Sequence, residues 1–295
     1  MKLLITGASG LLGSRLGKLA IDAGHEVYAT YNSHQVTGTH TRSLDILDKE
    51  AVDKCLTETS PNVVIHTASL TDVDLCEEKP DLAMHVNEVG TRNIAQACRQ
   101  VKSFLVYLST DYVFDGQSGD YSEGDEPNPI NTYGRSKLAG ERHVALQCQD
   151  YCTARTSVVF GWGRIYRHNF ATWVHEKLGA GQQVEVVTDQ YASPTLNTHL
   201  ARMLIEVAEH RIHGILHLAG STRISRYEFA VMLAKQFGFT ENLLTPVKAD
   251  VTRWRARRPL DSSLNVSRAQ KILTNKPTTL EEELSEFAKE SHLGG

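Results

Sequence analysis

A chain of 295 residues, 41% of them hydrophobic and 22% charged, can bury roughly three-quarters of its unfolded surface. It therefore needs no disulfide or metal staple, and it is neither a disordered chain nor a string of small modules. Its 31 basic residues against 35 acidic ones leave a formal charge of −4, which removes any general pull towards nucleic acid or an anionic membrane.

In chain order, the first 160 residues alternate short apolar runs with longer amphipathic stretches, the rhythm of strands joined by crossover helices. Strands are expected at Leu3-Leu4-Ile5, Glu26–Ala29, Val63–Ile65, Phe104–Leu108 and Thr156–Phe160. Their near-continuous hydrophobicity suits a parallel sheet covered on both faces. Helices are expected at about 11–23, 48–58, 80–100 and 133–147. Leu12, Leu16, Leu19 and Ala20 share one face of the first, and Ile94, Ala97, Cys98 and Val101 one face of the third. Beyond residue 160 the rhythm loosens. Ser225-Arg226-Tyr227-Glu228 has the spacing of a capping box and opens a helix running to about Phe237. Pro277-Thr278-Thr279-Leu280-Glu281 opens the last helix in a similar way. The fold class implied is α/β, a doubly wound parallel sheet. Five cysteines without a CxxC pair, no apolar run of membrane-spanning length and no h-region after Met1 predict a reducing, cytoplasmic address without membrane contact.

The first strand runs straight into Thr6-Gly7-Ala8-Ser9-Gly10-Leu11-Leu12-Gly13 and then a helix. A helix N-terminus offers unsatisfied N–H groups and a positive dipole end to a diphosphate. Gly7 suits the tight turn, Gly10 the approach of backbone to phosphate, and Gly13 the close packing of helix on strand. Three glycines in a loop are also what an empty β–α turn contains; their place between a first strand and an amphipathic helix favours a dinucleotide site. In NAD-specific sites an acid after the second strand bonds the ribose hydroxyls. Here that stretch reads Thr30-Tyr31-Asn32-Ser33-His34, with no acid. NADP(H) is therefore favoured, with NAD(H) the alternative. Arg42 is the cation that a fold-back of the 34–42 loop would bring near a 2′-phosphate.

The fourth long apolar run ends in Ser109-Thr110-Asp111-Tyr112-Val113-Phe114-Asp115-Gly116, and a turn-rich loop leads to Tyr133-Gly134-Arg135-Ser136-Lys137. Tyr133 and Lys137 are four apart, so phenol and ammonium project from the same helix face. The cation is expected to lower the tyrosine pKa, as suits a proton donor to a developing alkoxide. Any solvated helix can carry YxxxK; downstream of a phosphate loop and a hydroxyl-bearing strand end it acquires meaning.

With these pieces together the sequence resembles the extended short-chain dehydrogenase/reductases and, within them, the dTDP-4-dehydrorhamnose reductase family. The matching segments are TGASGLLG (6–13), VVIHTASLTDVDLCEEKP (63–80), STDYVFDG (109–116), PNPINTYGRSKLAGE (127–141), RTSVVFG (155–161), VVTDQYASPT (186–195) and RRPLDSSL (257–264). The resemblance implies a Rossmann-like dinucleotide-binding domain over 1–160, completed by parts of 190–220. A smaller α/β lobe, mainly 161–295, would bind substrate. It implies reduction of the C4 ketone of a nucleotide-activated 6-deoxy-4-ketosugar by NAD(P)H, dTDP-4-dehydrorhamnose foremost. It further implies that Thr110 bonds the carbonyl, Tyr133 donates the proton, and Lys137 orients the nicotinamide ribose. Asp111 and Tyr112 would line the substrate site. Ala68 and Ser69 would flank the cofactor, with Asn87 behind the active site and Asp45-Ile46 at the adenine. Val158 stands where family members often carry a sugar-facing Trp. Arg15 stands where metal-bridged dimers of the family use Glu, so no metal is expected, and the oligomeric state stays open with a homodimer among the options. Two rivals share the motifs: a non-catalytic regulatory subunit like the methionine adenosyltransferase β subunit, and another extended reductase or epimerase acting on UDP- or GDP-sugars.

Thirteen histidines invite a zinc reading, centred on His210, His213 and His217. A helix end followed by a strand would scatter those three side chains. Cys148 and Cys152 read as buried structural thiols. The group Arg253, Trp254, Arg255, Arg257 and Arg258 is either a solvated turn or, through its guanidinium forks, a phosphate clamp. The matching RRPLDSSL segment favours Arg257 or Arg258 at the nucleotide diphosphate. An isolated cluster in a slightly acidic chain does not suit nucleic acid.

Overall fold

The computed structural model describes residues 1–38, 40–163, 169–249 and 254–291; Arg253 of the arginine group lies outside them. The chain begins β1 (Lys2–Thr6), α1 (Leu11–Asp22), β2 (Glu26–Tyr31), β3 (Thr41–Ser43), α2 (Lys49–Thr59) and β4 (Val63–His66). Two short helices, α3 (Val73–Glu78) and α4 (Pro80–Met84), lead through a wide π turn at His85–Gly90 into α5 (Thr91–Val101), and then β5 (Phe104–Thr110). Next come α6 (Thr132–Gln147), β6 (Tyr151–Thr156), β7 (Val159–Phe160), α7 (Phe170–Gly179), β8 (Val184–Val187), β9 (Tyr191–Ala192), β10 (Thr195–Leu196) and α8 (Asn197–His210). The chain ends with β11 (Gly214–His217), β12 (Ile224–Ser225), α9 (Arg226–Phe237), β13 (Leu244–Val247), α10 (Ser267–Ile272) and α11 (Leu280–Glu290).

Seven strands form one all-parallel sheet in the order β11-β6-β5-β4-β1-β2-β3, the doubly wound, Rossmann-like arrangement. Side chains alternate between faces along each strand, so Leu3, Ile5, Val63, Ile65 and Val106 meet α1 and α8 on one side. Leu4, Val64, Leu105 and Tyr107 meet the α2, α5 and α6 layer on the other. The order reverses between β1 and β4, and in such sheets the crevice beyond the strand ends at that point is where ligands bind. A separate apolar core joins α7, α9 and α11 through Phe160, Val174, Phe229, Leu233, Leu284 and Phe287. Asparagine, aspartate, serine and threonine set several helix starts: Asp48, Asp72, Asn131 and Asn169 each accept a bond from their helix's first turn, and Ser225 and Thr279 form full capping boxes.

Three expectations need correction. The stretch Thr156–Phe160 is not one strand: β6 ends at Thr156, and β7 pairs with β10 instead. The break falls at Val158, whose φ of 43° is strained for a β-branched residue and turns the chain out of the sheet. The long helix expected over 80–100 is interrupted by the π turn, and the short elements α3 and β3 carry too few residues for periodicity to reveal them. The last helix starts at Leu280, capped by Thr279 rather than opened at Pro277. All five cysteines are free and buried. No helix among the described residues is long and apolar enough to cross a membrane.

Candidate active site

The glycine loop leaves β1 at the point where the sheet order reverses. Gly7 has φ 69°, and a β-carbon on it would lie 2.7 Å from the Ala68 Cα, so the exits of β1 and β4 touch there. The Gly10 N–H donates to the Gly7 carbonyl (2.8 Å), and Gly13 packs its Cα against that same carbonyl with no room for a side chain. Helix α1 then begins with no side-chain cap and no acid in its first turn, so its orphan N–H groups and positive end remain for an anion. Ser9, Gly10 and Leu11 are half-buried around this end, while Leu12 is buried in the core.

Around the loop the other expected cofactor residues take varied positions. Asn32 is exposed one residue past β2. Arg42, on β3, is committed to Glu58 of α2 (2.7 Å). Asp45 is exposed and accepts from the Leu47 N–H (2.9 Å), while Ile46 is buried and its carbonyl is held by Asn93 (3.0 Å). Ser69 donates to Asn87 (2.9 Å), which also bonds both backbone groups of Leu70 and reaches Ser136 on α6 (2.9 Å). Asn87 is fully buried and ties the β4 exit to α6. His66 is buried between the Thr6 and Thr91 hydroxyls. Burial and the nearby Lys137 bring it down to about 3, so the ring is neutral.

The structure brings Thr110, Tyr133 and Lys137 together. Thr110 ends β5; Tyr133 and Lys137 stand on α6, whose start is capped by Asn131 (2.8 Å to Gly134 N). Gly134 backs onto the Tyr112 carbonyl and Gly140 onto the Tyr107 phenol, where any side chain would collide. These two glycines let α6 lie low across β5. The Thr110 hydroxyl lies close enough to the Tyr133 phenol to act on its titration, while its own proton goes to Asp111 (3.0 Å). Lys137 is 3% exposed, with Nζ 4.3 Å from the centre of the Tyr107 ring. Burial lowers its ammonium to about 7, and Glu141 only partly opposes this. The tyrosine departs from expectation: burial pushes the Tyr133 phenol above its ordinary value, and Thr110 offsets only part of that. Desolvation of the phenolate is the larger influence, and the negative charge of Asp111 works in the same direction. Tyr133 thus keeps its proton. One turn further on, Glu141 receives Arg155 through both oxygens (3.0 and 2.7 Å) and Ser109 through one (2.5 Å), a buried brace between α6, β5 and β6.

Opposite lies a wall assembled from distant segments. Asp111 is 2% exposed and accepts from Thr110 (3.0 Å), Ser157 (2.8 Å) and Ser262 (2.5 Å). Tyr112 sets its ring edge-on to Tyr133, centroids 6.0 Å apart, and its hydroxyl lies near the side chains of Gln190 and Arg226. Val158 is half-buried at the β6–β7 turn and packs towards the second core. Arg258 grips Asp74 with two bonds (3.1 and 2.7 Å) and lies over Trp254. Arg257 is exposed, and its carbonyl accepts from Asn131 (2.8 Å); Arg255 pairs with Glu78 (2.5 Å). Gln190 and Arg226 escaped the sequence reading of the site. The signals were available: Gln190 lies within VVTDQYASPT, and the Ser225 capping box makes Arg226 the first residue of its helix.

Among the described residues no group of acidic, histidine or cysteine side chains could hold a metal. Arg15 instead pairs with Glu290 of α11 (2.7 Å), which also takes the Thr198 hydroxyl (2.5 Å). His210, His213 and His217 are scattered: His213 meets the Phe104 ring edge-on, while buried His217 bonds the Asn265 carbonyl (3.2 Å).

Comparison with known proteins bears on this arrangement. A family model described as the RmlD substrate binding domain matches residues 1–293. The chain is 36% identical to the probable low-salt glycan biosynthesis reductase Agl14 of Haloferax volcanii, over 97% of this chain and 96% of that one. It is 30% identical to the methionine adenosyltransferase 2 subunit beta of Xenopus laevis, over 91% of this chain and 81% of the relative. The crystal structure of dTDP-4-dehydrorhamnose reductase from Bacillus anthracis in complex with NADP superposes with a TM-score of 0.88 at 32% identity, covering 98% of this chain and all of that one.

Proposed function

The chain belongs to the dTDP-4-dehydrorhamnose reductase family, and from that premise we propose that it is an NADP(H)-preferring reductase of the C4 ketone of a nucleotide-activated 6-deoxy-4-ketosugar. The observation that carries the reading is the convergence of Thr110, Tyr133 and a buried Lys137 beside an uncapped helix start at the sheet's reversal. An NADP complex of a relative at 32% identity supports the cofactor, as does the lack of an acid after β2. In this reading residues 1–160, completed by parts of 190–220, hold the cofactor and 161–295 mainly hold the substrate.

The residues present fit such a group. The Gly7–Gly13 loop and the α1 N-terminus would hold the diphosphate, Asn32 and Asp45-Ile46 would border the adenosine, and Ala68, Ser69 and Lys137 the nicotinamide end. A bound nicotinamide supplies the hydride to C4. Thr110 turns its hydroxyl from Asp111 to the ketone oxygen and fixes its direction. Tyr133, protonated at neutral pH, bonds the same oxygen and releases its proton as negative charge develops there, in a cleft partly closed to water. Lys137 then stabilises the tyrosinate that is left. Asp111 and Tyr112 shape the sugar side, and Val158, in place of a Trp, leaves more room beside it.

The test is NADPH and NADH consumption against a panel of dTDP-, UDP- and GDP-4-ketosugars. Oxidation with a dTDP substrate and faster turnover with NADPH supports the reading. Activity confined to UDP- or GDP-sugars moves it to another reductase. A regulatory role is the second reading, favoured by the likeness to the Xenopus subunit; NADPH binding without turnover across the whole panel would establish it instead.

A further inference from the structure

Arg226 is fixed at its base and, among the described residues, has no carboxylate paired with its tip. Its backbone N–H donates to the Gln190 carbonyl (3.0 Å), and the Ser225–Glu228 capping box holds the turn it starts. The half-buried side chain passes over the Phe170 ring, guanidinium carbon 5.0 Å from the centroid, and lies near enough to the Tyr112 phenol to act on it. Tyr112 in turn touches Tyr133, so Arg226 stands one side chain away from the proposed proton donor. Among the described residues no carboxylate pairs with it. The acid that acts on it through space, Asp111, already receives three hydroxyls. A second guanidinium, that of Arg258, is close enough to repel it, but Arg258 is neutralised by two bonds to Asp74.

With one through-space acid that already receives three hydroxyls, a half-buried cation beside a phenol, a ring face and a like charge gains from a further anion. The planar fork of Arg suits a phosphate, which it can take through two parallel bonds. Resting on the nucleotide-sugar reading above, we propose that Arg226 is the main diphosphate-recognition residue of the substrate site, with Arg258 as a second, already paired cation beside it. The sequence motif points to 257–258 for this task; the geometry moves its centre to a residue some thirty positions earlier in the chain, on α9.

The experiment is calorimetric titration of the NADP⁺-saturated protein with dTDP, UDP and GDP, each beside its nucleoside. Wild type is expected to bind one of the diphosphates, to bind its nucleoside far more weakly, and to lose the diphosphate to competing inorganic pyrophosphate. Arg226→Gln should weaken the diphosphate by about tenfold to a hundredfold, the range for losing hydrogen bonds to a charged group, with nucleoside and NADP⁺ affinities unchanged. Arg226→Lys should recover part of the loss, because it restores the charge without the fork. Tight diphosphate binding by wild type with no change in Arg226→Gln overturns the assignment while leaving the reductase reading intact. No diphosphate binding by wild type, with NADP⁺ bound, removes the nucleotide-sugar reading and this inference with it. If Arg226→Gln fails to bind NADP⁺ and has thus misfolded, Arg226→Lys and pyrophosphate competition decide: full Lys affinity equal to wild type, or no competition, overturns it.

Discussion

The two sides of the proposed site are built on different principles. The side proposed to hold the cofactor, the first wall, is made of backbone: a glycine loop, an uncapped helix start and a helix that two glycines lower onto β5. The side proposed to hold the substrate, the second wall, is made of side chains from five separate stretches, Asp74, Asp111-Tyr112, Gln190, Arg226 and Ser262, with hydroxyls, carboxylates and guanidinium groups brought together. Backbone geometry depends on a few small residues and tolerates little change. A wall of converging side chains can be retuned one residue at a time. The difference predicts that substitutions in the first wall cost stability or chemistry, and those in the second cost affinity.

The largest effect should come from the brace that joins α6 to the sheet. Glu141→Ala strands a buried Arg155 and should destabilise the fold by about 3–5 kcal/mol, as breaking a buried pair does. Replacing both by apolar residues of similar size, Glu141→Leu with Arg155→Met, should restore most of it. Urea unfolding of the three proteins measures this; a single-variant loss below about 1 kcal/mol would show that the first wall does not depend on the brace. Next is Tyr133→Phe, which keeps the ring against Tyr112 but removes the proton. Turnover with the active ketosugar should fall by roughly a hundredfold or more, while NADPH affinity, held by the loop and α1, stays near wild type. Retained turnover would assign the proton to another group.

How much of this was legible in the sequence follows the same division. The loop 6–13 and the Tyr133/Lys137 pair are local patterns, four to eight residues long, and each lies where its spacing places it. Strands with continuous apolar runs, such as Phe104–Leu108, were equally plain. Asp111, Tyr112 and Arg258 were reached only through resemblance, and Gln190 and Arg226 not at all, because the meaning of such residues lies in partners up to 184 residues away. Two local readings failed for identifiable reasons. Val158 lies in an apolar run yet turns with a positive φ, since β7 gains a partner outside the main sheet. Proximity of Lys137 suggested a lowered tyrosine pKa; burial, which spacing does not show, dominates both groups.

That burial gives a pH test of the first wall. The ammonium of Lys137 is lowered to about 7, against about 10.4 in an unfolded chain. Between those values the unfolded state binds the proton and the folded state does not, so the folded state gains as pH rises through this window and the lysine's penalty is complete below about pH 7. Glu141 and Cys76 favour the charged form and burial opposes it; removal of the lysine should therefore flatten the curve. Comparing wild type with Lys137→Met by urea unfolding at pH 7.5 and 9, the difference should move towards wild type by up to about 2 kcal/mol, at most ~1.4 kcal/mol per unit. A difference independent of pH would mean that the ammonium stays charged in the folded protein.

The smallest effect concerns the rim, where backbone wall gives way to solvent. Asn32 is exposed just past β2, the position at which an acid would receive ribose hydroxyls and repel a 2′-phosphate. Arg42, the cation nearest in sequence, is held by Glu58 and cannot be counted on to attract that phosphate. NADPH preference therefore rests on the lack of repulsion more than on a dedicated clamp, and it should be modest. Asn32→Asp introduces a like charge at a site open to water, where the interaction is roughly 1 kcal/mol at most and salt weakens it. The ratio of NADPH to NADH affinity should fall by about fivefold at low ionic strength and by less at 0.5 M salt, with turnover at saturating cofactor unchanged. An unaltered ratio at low salt would place the 2′-phosphate away from β2, and a collapse of NADPH binding by several orders of magnitude would reveal a clamp that Asn32 itself completes.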